Sequence, residues 1–194
     1  MIAGITGGMG CGKSTVTRLL ERKGFRCLDS DALVRDHVLT SSHVQAALRT
    51  RFGSRAFRAD GSVDRTVLAE RIFAEDQERV WLEGLTHPEL FGLWRQEFAA
   101  HPDANWAVEA PLLFEKELEN WFDFTVCVAC APEQQLARLE QRGIPRVLAG
   151  RRISKQLPLA RKIELSDFVL WNEGSPEFLA AEVDRLMIAL AGRS

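Results

Sequence analysis

The sequence predicts an α/β fold of three layers, with helices on both faces of a five-stranded parallel sheet. Three observations predict it. An apolar strand runs through a glycine loop into a helix and then a second strand, a βαβ unit, and so a parallel pair. Apolar strand-like runs alternate with helical patterns in the second half of the chain. Between the two regions lies a long stretch of helical periodicity, which reads as an insertion after the second strand.

In chain order, Ile2 to Thr6 is the first strand. Lys13 to Arg22 is a helix with Val16, Leu19 and Leu20 on one side, stopped by Gly24. Phe25 to Leu28 is the second strand and ends in Asp29-Ser30-Asp31. The insertion contains a turn at Asp60-Gly61-Ser62, a helix capped by Asp64 and running through Phe73, and a helix with Pro88 in its first turn. Leu90, Phe91, Trp94 and Phe98 form that last helix's buried stripe. Strands return at Trp106–Glu109 and Phe124–Cys130; between them, Pro111 holds Pro111-Leu-Leu-Phe-Glu115 out of the sheet. A helix over Glu133–Arg142, a strand over Phe168–Leu170 and a closing helix carrying Leu179, Val183, Leu186, Met187 and Leu190 complete the pattern. In such a fold, ligands bind at the carboxyl ends of the strands.

With 194 residues, 46% hydrophobic and 27% charged, the chain suits one globular domain. Its net charge of −2 argues against a dedicated nucleic-acid binder. The apolar runs are too short to span a bilayer, and no basic segment precedes Ile2, so a cytoplasmic enzyme is expected. Cys127 and Cys130 have Cys-x-x-Cys spacing, but they fall in an apolar strand on opposite faces, and no second Cys/His pair has ligand spacing. They read as core residues.

Gly7-Gly-Met-Gly-Cys-Gly-Lys13-Ser14 matches G-x-x-x-x-G-K-[ST], placed after a strand and opening a helix as that motif requires. Triphosphate oxygens need backbone N–H donors at close approach, which glycines permit, and the helix N-terminus adds positive potential. The motif puts Lys13 on the β- and γ-phosphates and the Ser14 hydroxyl on Mg²⁺. The fold is thus a P-loop NTPase fold, with Gly8, Gly10, Cys11, Gly12, Lys13, Ser14 and Thr15 as the ATP-binding residues.

No Asn-Lys-x-Asp segment specifies guanine, and the chain is short for a motor or transporter ATPase, which leaves a small kinase. From Arg138 to Lys162 there are eight basic residues and one acid, Glu140. Such a density of guanidinium groups suits a phosphate clamp, with Arg138 and Arg142 one helical turn apart; an RNA-binding stripe would want interleaved aromatics. Asp29 and Asp31 point the same way if strand geometry continues, and Asp31 can take the proton of an acceptor hydroxyl; helix capping is the plainer alternative.

The P-loop, Asp29-x-Asp31 with Arg35, His87-Pro88, Pro111-Leu-Leu-Phe-Glu115, Arg138 and Arg142, Arg152 with Gln156, and Asn172 together resemble the dephospho-CoA kinases over nearly the whole chain. The resemblance implies transfer of the ATP γ-phosphate to the 3′-hydroxyl of the dephospho-CoA ribose, the last step of coenzyme A synthesis. It implies Asp31 as base or orienting group, and Lys13 and Arg142 as stabilisers of the migrating phosphoryl. It also implies His87, Leu112, Phe114 and Glu115 in the acceptor pocket, and Asn172 near the adenine. The implied organisation is a core (about 1–35, 104–137 and 163–194), an acceptor-binding helical insertion (about 36–103) and a lid (about 138–162). The substrates would be ATP and dephospho-CoA, with Mg²⁺ and no nucleic acid or membrane, on a monomer or weak homo-oligomer.

Read without the resemblance, Pro111–Phe114 is core packing, His87 a helix start, Asn172 a turn residue and Arg35 part of a solvated face. Another small-molecule or nucleoside kinase, or a nucleotide sensor, are the alternatives. The sequence departs from the family pattern at Gly143–Gly150, a lid segment about one residue short in which Pro145 and Gly150 weaken the helix, and at Cys11, where serine is common.

Overall fold

The computed structural model describes residues 1–192; the last two residues of the expected core segment 163–194 lie outside it. The chain forms two compact units, one of Met1–Asp29 with the chain from Asp103 onward, the other of Ser30–Pro102.

The first unit is built on an all-parallel sheet, among the described residues in the order β2-β3-β1-β4-β5. Its strands are β1 (Ile2–Gly7), β2 (Arg26–Asp29), β3 (Trp106–Glu109), β4 (Phe124–Ala129) and β5 (Phe168–Trp171). β1, β3 and β4 are buried along almost their whole length, as expected where helices cover both faces. Helices α1 (Lys13–Arg22) and α9 (Pro176–Ala191) bury Val16 and Leu20, and Leu179, Val183, Leu186 and Leu190, into one core with Ile5, Phe124, Val126 and Val128. Ser175 caps α9 by accepting from the Phe178 N–H. The chain leaves β1 for β2 on one side, returns through β3 and then crosses to β4 and β5 on the other side, so strand order reverses beside β1. Its carboxyl end is the switch point where such sheets bind ligands.

The other unit contains α2 (Ser30–Leu33), a π-helical turn over Val34–Val38, α3 (Ser42–Phe52), α4 (Arg65–Ala74) and α5 (Asp76–Ala100). Asp64 caps α4 as expected, accepting from the Thr66 and Val67 N–H groups. Two expectations fail here. Pro88 does not open a helix: it lies inside the 25-residue α5. Burial of Thr86, Leu90 and Trp94 on both sides of it holds the helix continuous, although the bond to the Gly84 carbonyl cannot form. Strand geometry also does not persist through Asp31. β2 ends at Asp29, and Ser30 begins α2, so Asp31 sits in a helical first turn and the two aspartates do not share a strand face.

The segment after β4 consists of α6 (Pro132–Gln141), α7 (Arg146–Ile153) and α8 (Leu159–Leu165). Pro145 does not weaken α7. It sits outside, at the N-cap, with an extended ψ of 140°, where its missing N–H costs nothing, and Gly150 is accommodated within the helix.

Candidate active site

The Gly7–Ser14 segment wraps the carboxyl end of β1 and turns into α1. Its shape is held by Cys11 N–H donating to the Gly8 carbonyl (3.1 Å) and Thr15 N–H to the Gly12 carbonyl (3.0 Å). Gly12 caps α1 in the left-handed region, φ 99°, and a Cβ there would lie 2.3 Å from Asn172 Nδ2. At Gly8 the packing is close instead: a Cβ there would meet Gln135 Nε2 at 2.0 Å and Cys11 Sγ at 2.8 Å, so those side chains would have to move. The buried Lys13 ammonium donates to the Gly8 and Gly7 carbonyls at 3.3 and 3.5 Å, so it lies folded over the loop that would carry the phosphates.

Ser14 donates to Glu109 Oε1 at 3.2 Å. The sequence reading missed Glu109. It ends β3, the strand hydrogen-bonded beside β1, with Ile5 and Asp29 as its register partners. An acid ending an apolar strand was visible in the sequence, but its place beside Ser14 follows only from strand order. Ser14 and Glu109 together offer two hard oxygen donors at the start of α1, a set suited to Mg²⁺.

Asn172 follows β5 and is buried; its amide donates to the Cys11 carbonyl at 2.8 Å. Arg138, on α6, donates to the Asn172 carbonyl (2.9 Å), to its Oδ1 (3.4 Å) and to the Gly10 carbonyl (3.5 Å). These two residues brace the loop from the β5 side. Gln135, one helical turn before Arg138, donates to Cys11 Sγ at 2.9 Å. Cys11 also accepts from the Cys130 thiol at 3.5 Å. The Cys130 contact, opposed by burial and helped by Gln135, holds the Cys11 thiol well below its ordinary 9.0; the same contact and burial push Cys130 up. Cys127 and Cys130 are buried and unbridged, as a core reading requires, and no group of three or more His, Cys, Asp or Glu among the described residues is arranged for a metal.

Arg142 is exposed and is the C-cap of α6, which stops at Gln141, one residue before the expected end. In the Pro111–Glu115 segment, Leu112 is 38% exposed while Leu113 and Phe114 are buried. Glu115 Oε1 accepts from the Leu157 N–H (2.9 Å) and from the Lys162 ammonium (2.8 Å), which also donates to the Pro111 carbonyl at 2.6 Å. Lys162 is therefore an anchor rather than part of a solvated clamp. Arg146 and Arg161 pair with Glu140 and Glu164. Asp31 and His87 belong to the other unit. Asp31 is exposed in α2, and His87 is half-buried in α5 with its ring 5.5 Å from Phe91. Arg35 makes a two-pronged pair with Asp36.

The dephospho-CoA kinase family model matches residues 1–177. The chain belongs to the dephospho-CoA kinase family. A dephospho-CoA kinase of Thermosynechococcus vestitus is 44% identical over 192 residues, covering 98% of this chain and 94% of that protein. The crystal structure of TT1252 from Thermus thermophilus superposes over 100% of this chain and 97% of its own, with a TM-score of 0.79 at 32% identity. A dephospho-CoA kinase from Campylobacter jejuni shares the fold at a TM-score of 0.72 and 22% identity, over 100% of this chain and 98% of its own.

Proposed function

We infer that this chain transfers the γ-phosphate of ATP to the 3′-hydroxyl of dephospho-CoA, giving ADP and coenzyme A. The observation that carries it is a complete donor cradle at the β1 switch point, braced by Asn172 and Arg138, in a chain of this family. Loop N–H groups and the start of α1 receive the phosphates, and Lys13 exchanges its loop carbonyls for phosphate oxygens. Ser14 and Glu109 would hold Mg²⁺, which when bound neutralises charge across the β- and γ-phosphates. Arg142, exposed at the end of α6, supplies a guanidinium to the transferring group, and residues 138–162 act as the lid. Asp31 orients the acceptor hydroxyl and takes its proton. The family resemblance assigns acceptor binding to residues 36–103, with His87, and to Leu112, Phe114 and Glu115. The enzyme acts in the cytoplasm as a monomer or weak homo-oligomer, without nucleic acid. Among the described residues no helix is long and apolar enough to cross a membrane.

Purified protein with Mg-ATP and dephospho-CoA should release ADP and form coenzyme A; phosphorylation of a different hydroxyl acceptor instead would defeat the assignment. Asp31→Asn should lower turnover by about 10²–10⁴-fold while ATP affinity stays unchanged. An equal loss of both would assign Asp31 to starting α2 rather than to chemistry.

A further inference from the structure

We propose that Cys11 and Cys130 form an oxidation site for small hydroperoxides, whose product is a disulfide that disables the phosphate cradle. The two sulfurs lie 3.5 Å apart although 119 residues separate them. Cys11 is in the loop between β1 and α1, and Cys130 immediately follows β4, the strand paired with β1. Neither thiol is used in phosphoryl transfer.

The geometry distinguishes the two sulfurs. Cys11 Sγ receives both the Cys130 thiol and the Gln135 amide, at 3.5 and 2.9 Å, and lies just before the N-terminus of the ten-residue α1. Two donors and a helix start stabilise a thiolate on Cys11, with Lys13 adding positive charge. Cys130 is the donor of the pair and so keeps its proton. One nucleophilic sulfur with a second thiol in contact is the arrangement that resolves a sulfenic acid into a disulfide. Cys27 and Cys127 are held as thiols, pushed up to about 11 and about 12 by burial, so oxidation favours Cys11.

The chemistry balances with hydrogen peroxide as oxidant. Cys11 thiolate attacks one peroxide oxygen, the O–O bond breaks, and the leaving hydroxide takes a proton to become water. The Cys130 sulfur then attacks the Cys11 sulfenic sulfur, the S–O bond breaks, and the hydroxyl leaves as a second water with the Cys130 proton. The two thiols lose two electrons and the peroxide gains them. Cys11 is 0% and Cys130 1% exposed, so an oxidant reaches them only when the loop opens, and a small hydroperoxide needs a far smaller opening than a bulky disulfide. A disulfide needs sulfurs about 2.05 Å apart, so roughly 1.5 Å of approach must come from the loop or the end of β4. That movement draws the Cys11 N–H out of line with the phosphates.

The test treats the reduced full chain with hydrogen peroxide, maps the cysteines by mass spectrometry, and follows kinase turnover. A Cys11–Cys130 linked peptide should appear, turnover should fall by about 100-fold, the order of cost of one misplaced anion-binding donor, and a thiol reductant should restore it. An aromatic disulfide reagent should leave Cys11 unmodified in the folded chain. Cys130→Ser should retain kinase turnover before treatment, and after it should carry a trappable sulfenic acid on Cys11 with no linked peptide. Cys130→Ala gives the same readout should the serine disturb folding. The proposal is overturned if the peroxide-treated chain of unaltered sequence forms no Cys11–Cys130 link, if Cys130→Ser loses and regains activity as the parent does, or if the bulky reagent modifies Cys11 as readily as a free thiol.

Discussion

Replacing Lys162 by methionine isolates a buried ion pair in the first unit. The lysine is 0% exposed, and its ammonium meets Glu115 Oε1 at 2.8 Å and the Pro111 carbonyl at 2.6 Å. Methionine fills similar volume, so packing is nearly conserved while the charge is lost. What remains is a Glu115 carboxylate with a side chain only 16% exposed, whose Oε2 is already buried with no hydrogen-bond partner among the described residues. Breaking a buried pair by removing one ion costs about 3–5 kcal/mol, a large part of the roughly 5–15 kcal/mol that holds a protein folded. At a urea slope of about 2 kcal/mol/M, the unfolding midpoint should fall by roughly 1.5–2.5 M. Adding Glu115→Gln removes the stranded charge yet keeps an oxygen to accept the Leu157 N–H. The double variant should therefore recover at least about 2 kcal/mol of the loss. A single variant that loses less than about 1 kcal/mol, or a double variant whose loss equals the sum of the singles, would refute the buried-pair account.

Gly12→Ala should weaken ATP binding at least about tenfold, by titration calorimetry, because its Cβ meets Asn172 Nδ2 at 2.3 Å and a φ of 99° strains any L side chain. Wild-type affinity in that variant would mean Asn172 does not brace the loop. Cys127 gives a pH dependence: burial raises its folded value from 9.0 to about 12, so above pH 9.0 the unfolded chain loses this proton while the folded chain keeps it. Stability present below pH 9.0 is lost as pH rises toward about 12, and Cys127→Val should flatten that decline in urea midpoints taken on either side of 9.0. An unchanged slope in the valine variant would show that other groups set it.

The parts of this molecule legible in the sequence are those whose cause is local. α1 begins at Lys13 and ends at Arg22 as read, because a glycine loop and Gly24 delimit it, and the buried strands announce themselves as short apolar runs. Pro88 was misread because its local preference for a helix start is outweighed by Thr86, Leu90 and Trp94, which bury α5 on either side of it. Glu109 was missed for a different reason: it is chemically plain, but only the pairing of β3 with β1 sets it against Ser14. The same holds for Cys11 with Cys130 and for Lys162 with Glu115, each joined across distant chain by packing that residue types do not encode singly. Substrate chemistry in such a fold sits on loop residues that motifs expose. The contacts that hold those residues in place come from neighbouring strands and from the helices that follow them, so a motif identifies the cradle before it identifies what keeps the cradle in shape.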